Sequence, residues 1–185
     1  LLAAMSTPRV PPQLTVGPFT LPMAADFGLT AAALKGPSWR HVIREVWVHR
    51  DLPDSREIRL SAVRLILRGQ AFVCGLTAAW LYGIDVQDRR SDLVWVGHPT
   101  GYRPRARAGM LVREITVDDS DLQWWGGVRI TTALRTAFDC ARWLSLVEAV
   151  VVADYLAHAS FITSVELAAY ARVHRGLRGC RQVAR

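Results

Sequence analysis

Polar and apolar positions change their period several times along the chain, and each change predicts an element. Residues 1–17 hold three prolines and little periodicity, which predicts a flexible arm. In FTLPMAADFGLTAAALKGPSWR, Thr20 is placed to cap a helix with Pro22 in its first turn, and Gly28 ends it. Thr30 caps a second helix, AAALK, which Gly36-Pro37 stops. HVIREVWVH alternates, with Val42, Arg44, Val46 and Val48 on one face and Ile43 and Trp47 on the other. Two short helices followed by a strand or hairpin fit a winged helix-turn-helix, and an ordinary helical hairpin followed by a strand fits equally.

Asp54 and Glu57 have capping-box spacing ahead of an amphipathic helix whose stripe is Ile58, Ala62, Leu65 and Ile66. FVCGLTAAWLYG predicts a short strand and a buried helix ended by Gly83, and residues 92–97 and 110–117 predict two more strands. The Gly126-Gly127 turn leads into a further strand, after which Thr132 caps a helix to about Leu144. Ser145 with Glu148, and Thr163 with Glu166, open two more helices as capping boxes. The expected fold class is α+β, with an N-terminal winged helix-turn-helix over 18–52. A domain of a small, mostly antiparallel sheet packed with helices follows over 53–185.

Charge changes this picture. The formal net charge is +7 and Lys35 is the only lysine, so the positive surface is almost wholly guanidinium. Such a balance favours an anionic partner, and guanidinium engages phosphates and base edges bidentately. The basic residues gather around Lys35 to Arg44, along 103–113, and after Glu166, beyond which no acid occurs. GYRPRARAGM is read either as a solvated turn or as an anion contact, since alternation puts Arg103, Arg105 and Arg107 on one side of an extended chain.

Several chemistries lack their residues. A restriction-type metal centre needs a carboxylate two residues before a lysine, and Ala33 stands there before Lys35. The histidines show neither HxH nor HExxH spacing, and neither a P-loop nor GxGxxG occurs. Asp118 and Asp119 read as a solvated turn. The expectation is a protein that is not an enzyme and has no metal or cofactor. Cys74 and Cys140 sit in apolar stretches and read as buried thiols in a reducing cytoplasm. No apolar run reaches the length of a membrane-spanning helix.

The order of these segments, and LTAAWLYG and VRITTALRTAFDCAR most specifically, resembles actinobacterial proteins of the AbiEi antitoxin-like group, over about residues 19–181. The resemblance implies an N-terminal winged helix and an α+β domain, without the Vsr-like nuclease that relatives often carry. The plan is also similar to immunity repressors of actinobacterial temperate phages. This implies a sequence-specific double-stranded DNA-binding repressor, with an autorepressing antitoxin as the alternative. The expected DNA contacts from the first unit are Thr30, Ala31, Ala32, Lys35, Ser38, Arg40, His41 and Arg44. From the second they are Tyr102, Arg103, Arg105, Arg107, Arg113, Arg175 and Arg178. Alanines in place of polar residues on the recognition helix direct its first turn toward thymine methyls. Two unlike modules on one chain imply an asymmetric operator bound by a monomer.

Overall fold

A computed structural model describes residues 10–86, 93–102 and 108–183. The chain divides into two compact units. The first runs to Ile66 and takes in a short segment ending at Gly109, and the second holds the remainder.

In the first unit the chain is packed from Val10 onward. A 3-10 turn, Pro12–Leu14, sets Leu14 into a core with Phe19, Ala24, Leu29, Leu34 and Trp39, so the arm expected over 1–17 is part of the fold from residue 10. Residues 1–9 lie outside the described residues. Strand β1 (Phe19–Thr20) leads into the five-residue helix α1 (Leu21–Ala25), which closes at Gly28 with φ 76°. The second helix expected from AAALK is instead one 3-10 turn, Ala33–Lys35. Gly28 and Gly36-Pro37 confine it, and the first turn of an α-helix fixes several dihedrals for one hydrogen bond, so a segment this short gains little by continuing. Leu34, 4% exposed, pins the turn to the core, and the Ala33 amide donates to Thr30 Oγ1 at 3.3 Å.

Of the strand or hairpin expected over 41–49, the structure has the hairpin. Strands β2 (Trp39–Ile43) and β3 (Val46–His49) pair antiparallel, and Glu45 with φ 72° makes the turn between them. β1 adds to β3, giving the order β1-β3-β2. Edge-on contact of Phe19 with Trp39, centroids 5.1 Å apart, ties the sheet to the core. Helix α2 (Arg56–Ile66) packs on this sheet through Leu60, Ala62 and Val63, with Ile58, Leu65 and Ile66 half-buried beside them. Its cap is Ser55, whose Oγ accepts from the Ile58 amide at 3.4 Å. Asp54, expected there, instead accepts two hydrogen bonds from Arg59, at 2.9 and 2.7 Å.

The second unit is built on five strands in the order β6-β5-β4-β8-β7. They are β4 (Phe72–Val73), β5 (Val94–His98), β6 (Met110–Glu114), β7 (Leu122–Trp125) and β8 (Val128–Thr131). The sheet is mixed, not mostly antiparallel: β5–β6 and β4–β8 pair parallel, β4–β5 and β7–β8 antiparallel. Parallel pairing of β5 with β6 excludes a two-residue hairpin as the link between these strands.

Helix α3 (Gly75–Leu81) is buried against β5, where Thr77 Oγ1 accepts from the Trp95 amide at 2.9 Å. Helix α4 (Ala133–Trp143), capped by Thr132 through the Arg135 amide, is the hub of the unit. It packs against β8, α3, α5 (Leu146–His158), α6 (Ser164–Val173) and α7 (Cys180–Val183). Cys74 and Cys140 are buried free thiols, as their apolar settings predict.

The capping boxes expected of Ser145 with Glu148 and of Thr163 with Glu166 both form, and the second sets a pH response. Glu166 accepts from the Thr163 amide at 2.6 Å and its hydroxyl at 2.8 Å, and Thr163 Oγ1 accepts the Glu166 amide at 3.1 Å. The hydroxyl first, and the amide second, hold the Glu166 carboxyl below its ordinary value of 4.5. A depressed folded pKa means the unfolded chain takes the proton more readily. The box therefore contributes fully above the ordinary value, and its contribution is lost as pH falls through the folded one. Glu166→Gln should accordingly melt below the parent near neutral pH, and thermal scans should show the gap closing as pH is lowered to about 3.

Candidate nucleic-acid interface

The turn Thr30–Lys35 and the β2–β3 hairpin present the exposed polar groups of the first unit. Thr30, Ala31, Ala32 and Lys35 are all exposed, although Thr30 Oγ1 is engaged by the Ala33 amide. With only a 3-10 turn behind them, these residues are offered on a tight loop and not along a helix face. Arg44 is exposed at the tip of the hairpin, where the left-handed Glu45 reverses the chain. Lys35 and Arg44 make no ion pair among the described residues, which leaves both charges available to a partner. His41 is exposed with its ring tilted on Trp47 at 4.6 Å.

Two other expected contacts in this unit work inside the fold. Arg40 donates to the Leu52 carbonyl at 2.7 Å, clamping the segment after β3. Ser38 is half-buried, and its carbonyl accepts from the Arg50 amide at 2.8 Å. Sequence spacing puts such residues beside Lys35, but only the hairpin register shows that they close the sheet.

Arg103, Arg105 and Arg107 lie outside the described residues. The Tyr102 hydroxyl donates to the Arg68 carbonyl at 2.7 Å, so its proton is committed to holding the chain after β5. Arg113, on β6, is half-buried with its guanidinium 5.1 Å from the Trp95 ring and 4.5 Å from that of Trp143. That packing makes it a link between sheet and α4. Arg175 and Arg178 are exposed, and the Arg178 carbonyl accepts from Arg142 Nε at 3.0 Å.

The most strongly organised charges are ones that sequence reasoning passed over. Arg135, 1% exposed, donates through Nε to Asp139 and through Nη1 to Asp121, each at 2.8 Å. The Tyr170 hydroxyl donates to the other oxygen of Asp121 at 2.5 Å. Arg142 reaches Asp139 from the far side at 3.3 Å. Burial pushes the Asp139 carboxyl above its ordinary range, and Arg135 and then Arg142 pull it back. The cluster joins the turn after Asp118, helix α4 and helix α6, three segments distant in sequence. The signal for it was present: Arg135 and Asp139 are one helical turn apart on the face that also carries Phe138. Asp118 and Asp119 are exposed in a 3-10 turn, as expected, while Asp121 at its end is buried.

Among the described residues no group of three or more His, Cys, Asp or Glu is clustered to hold a metal ion. No helix among them is long and apolar enough to cross a membrane. Residues 71–185 match the family model for the AbiEi antitoxin C-terminal domain. No curated protein matches the chain.

Proposed function

The chain belongs to the AbiEi antitoxin family, and on that footing we propose that it is a sequence-specific double-stranded DNA-binding transcriptional repressor, not an enzyme. The observation that carries this reading is the pair of exposed cations, Lys35 and Arg44, without an ion pair among the described residues, on a loop and hairpin tip of one small unit. The loop 30–35 meets base edges, with the methyls of Ala31 and Ala32 against thymine. Arg44 grips the flanking backbone as a wing does. Arg103, Arg105 and Arg107 supply the second contact, and Arg175 and Arg178 add further cations from the second unit. A monomer on an asymmetric operator follows from two unlike contact surfaces in one chain.

Phosphate neutralisation sets the salt response. With about six phosphates engaged, log K falls against log salt with a slope near −5, so affinity drops about a thousandfold between 50 and 200 mM salt. Lys35→Ala and Arg44→Ala should each flatten that slope by about one. Gel-shift titrations on DNA selected from a random pool measure both, and a slope near zero would discard the reading. Footprinting on the same DNA reports symmetry, and a palindrome protected by a dimer would contradict the monomer.

Two biological settings fit a cytoplasmic repressor of this kind. The family match favours an antitoxin that represses its own operon, which growth rescue against a co-expressed nucleotidyltransferase toxin tests. The similarity to temperate-phage immunity repressors favours silencing of lytic genes, which protection of an expressing host from superinfection tests.

A further inference from the structure

We propose that the cleft between α6 and α7 binds a compact organic phosphate of the nucleoside diphosphate class. The cleft measures about 600 Å³ and is lined by Arg172, Arg175 and Arg181 over a floor that includes Ala168, Ala171 and Val183. Its size falls in the range of roughly 300–1,000 Å³ typical of small-molecule sites.

Charge selects the ligand class. None of the three arginines makes an ion pair among the described residues, and no acidic side chain occurs between Glu166 and Arg185. Three like charges around one cavity repel one another, and a diphosphate between them removes that cost while accepting paired guanidinium hydrogen bonds. The apolar floor selects the rest of the molecule. Ala168 and Ala171 are one turn apart on α6, and their small side chains leave a surface on which a flat ring can lie.

The cleft has a pinned wall. Gln182 donates to the Leu144 carbonyl at 2.8 Å, Arg142 Nε holds the Arg178 carbonyl, and the Cys180 thiol donates to the His174 carbonyl at 2.9 Å. These bonds hold α7 and its approach in place before any ligand arrives, which lowers the ordering cost of binding. A duplex is too wide to enter, so this site is distinct from a backbone-tracking surface, although Arg175 also belongs to the proposed DNA contacts.

The test uses the full chain and N-methylanthraniloyl-ADP as the probe, followed by fluorescence anisotropy. Saturable binding is expected, displaced by ADP and by pyrophosphate but not by adenosine. Arg172→Ala and Arg181→Ala, neither among the proposed DNA contacts, should each weaken it about tenfold, with thermal melts unchanged. Ala168→Leu, which keeps every arginine but fills the floor, should weaken it as well. Absence of saturable binding up to about 1 mM would overturn the proposal. So would equal binding by the variants, or displacement by random duplex DNA but not by ADP. Gel shifts on the same preparations separate the two readings: failure to shift DNA with probe binding intact removes the repressor and leaves the ligand site, and the converse result removes the ligand site alone.

Discussion

Asp139→Ala is expected to lower the stability of the second unit by about 3–5 kcal/mol, the usual result of removing one partner from a buried ion pair. Asp139 is fully buried and accepts from two guanidiniums, Arg135 Nε at 2.8 Å and Arg142 Nη1 at 3.3 Å. Truncation leaves Arg135, 1% exposed, with its charge facing an emptied space that water cannot readily reach. Nη2 of Arg135 already has no hydrogen-bond partner among the described residues, so after truncation the guanidinium keeps only the hydrogen bonds of Nη1 with Asp121 and Tyr170. Chemical denaturation followed by far-UV circular dichroism measures the loss. The paired change Arg135→Met with Asp139→Leu separates charge from shape. If the damage comes from the orphaned guanidinium, the double variant recovers much of the loss. A double variant as unstable as Asp139→Ala would mean that the network itself, with Asp121 and Tyr170, holds α4 to α6.

Gly75→Ala should cost about 2–4 kcal/mol, from adding a side chain in the left-handed region and overpacking the core at the same point. Gly75 opens α3 with φ 52°, and a Cβ there would stand 2.4 Å from Cε3 of Trp95. Trp95 cannot retreat, because it is fully buried and its amide and carbonyl are held by Thr77 and Cys74. Gly127→Ala, where φ is 81° but nothing stands within 4 Å of the added carbon, isolates the conformational part. A thermal shift for Gly75→Ala no larger than for Gly127→Ala would refute the close approach to Trp95.

These two sites account physically for the segments that most specifically resemble the family. GLTAAW needs its glycine because an indole lies over the start of the helix. In ALRTAFDC, arginine and aspartate sit among buried residues because they answer each other one turn apart. Neither reason is visible in the string alone. Trp95 is 20 positions from Gly75, and the Asp121 and Tyr170 that complete the charge cluster come from other elements.

Local chemistry was legible at several signals completed within a few residues, although Ser55 and not Asp54 caps α2 and the Thr20 side chain caps nothing. Thr132, Ser145 and Thr163 each cap the helix that follows them, because a hydroxyl reaches an amide three residues on whatever the rest of the chain does. Gly28 and Gly83 end their helices in the left-handed region for the same kind of reason. Alternation over 41–49 left strand and hairpin open, since it marks alternating burial without showing where the chain reverses, and Glu45 supplies the turn. Parallel pairing of β5 with β6 was also invisible, because period two is common to both strand directions.

The site divides along the same line. Composition established that the positive surface is guanidinium-rich, and exposure kept Lys35, Arg44, Arg175 and Arg178 available to a partner. Only tertiary structure diverted Arg40 to the Leu52 carbonyl, Tyr102 to that of Arg68 and Arg113 to two indoles. A residue's charge is written in the chain, but the group that meets it depends on segments brought together by the fold. Caps and terminators were therefore readable from neighbours, while the buried ion cluster and the arginine-lined cleft required the packed helices.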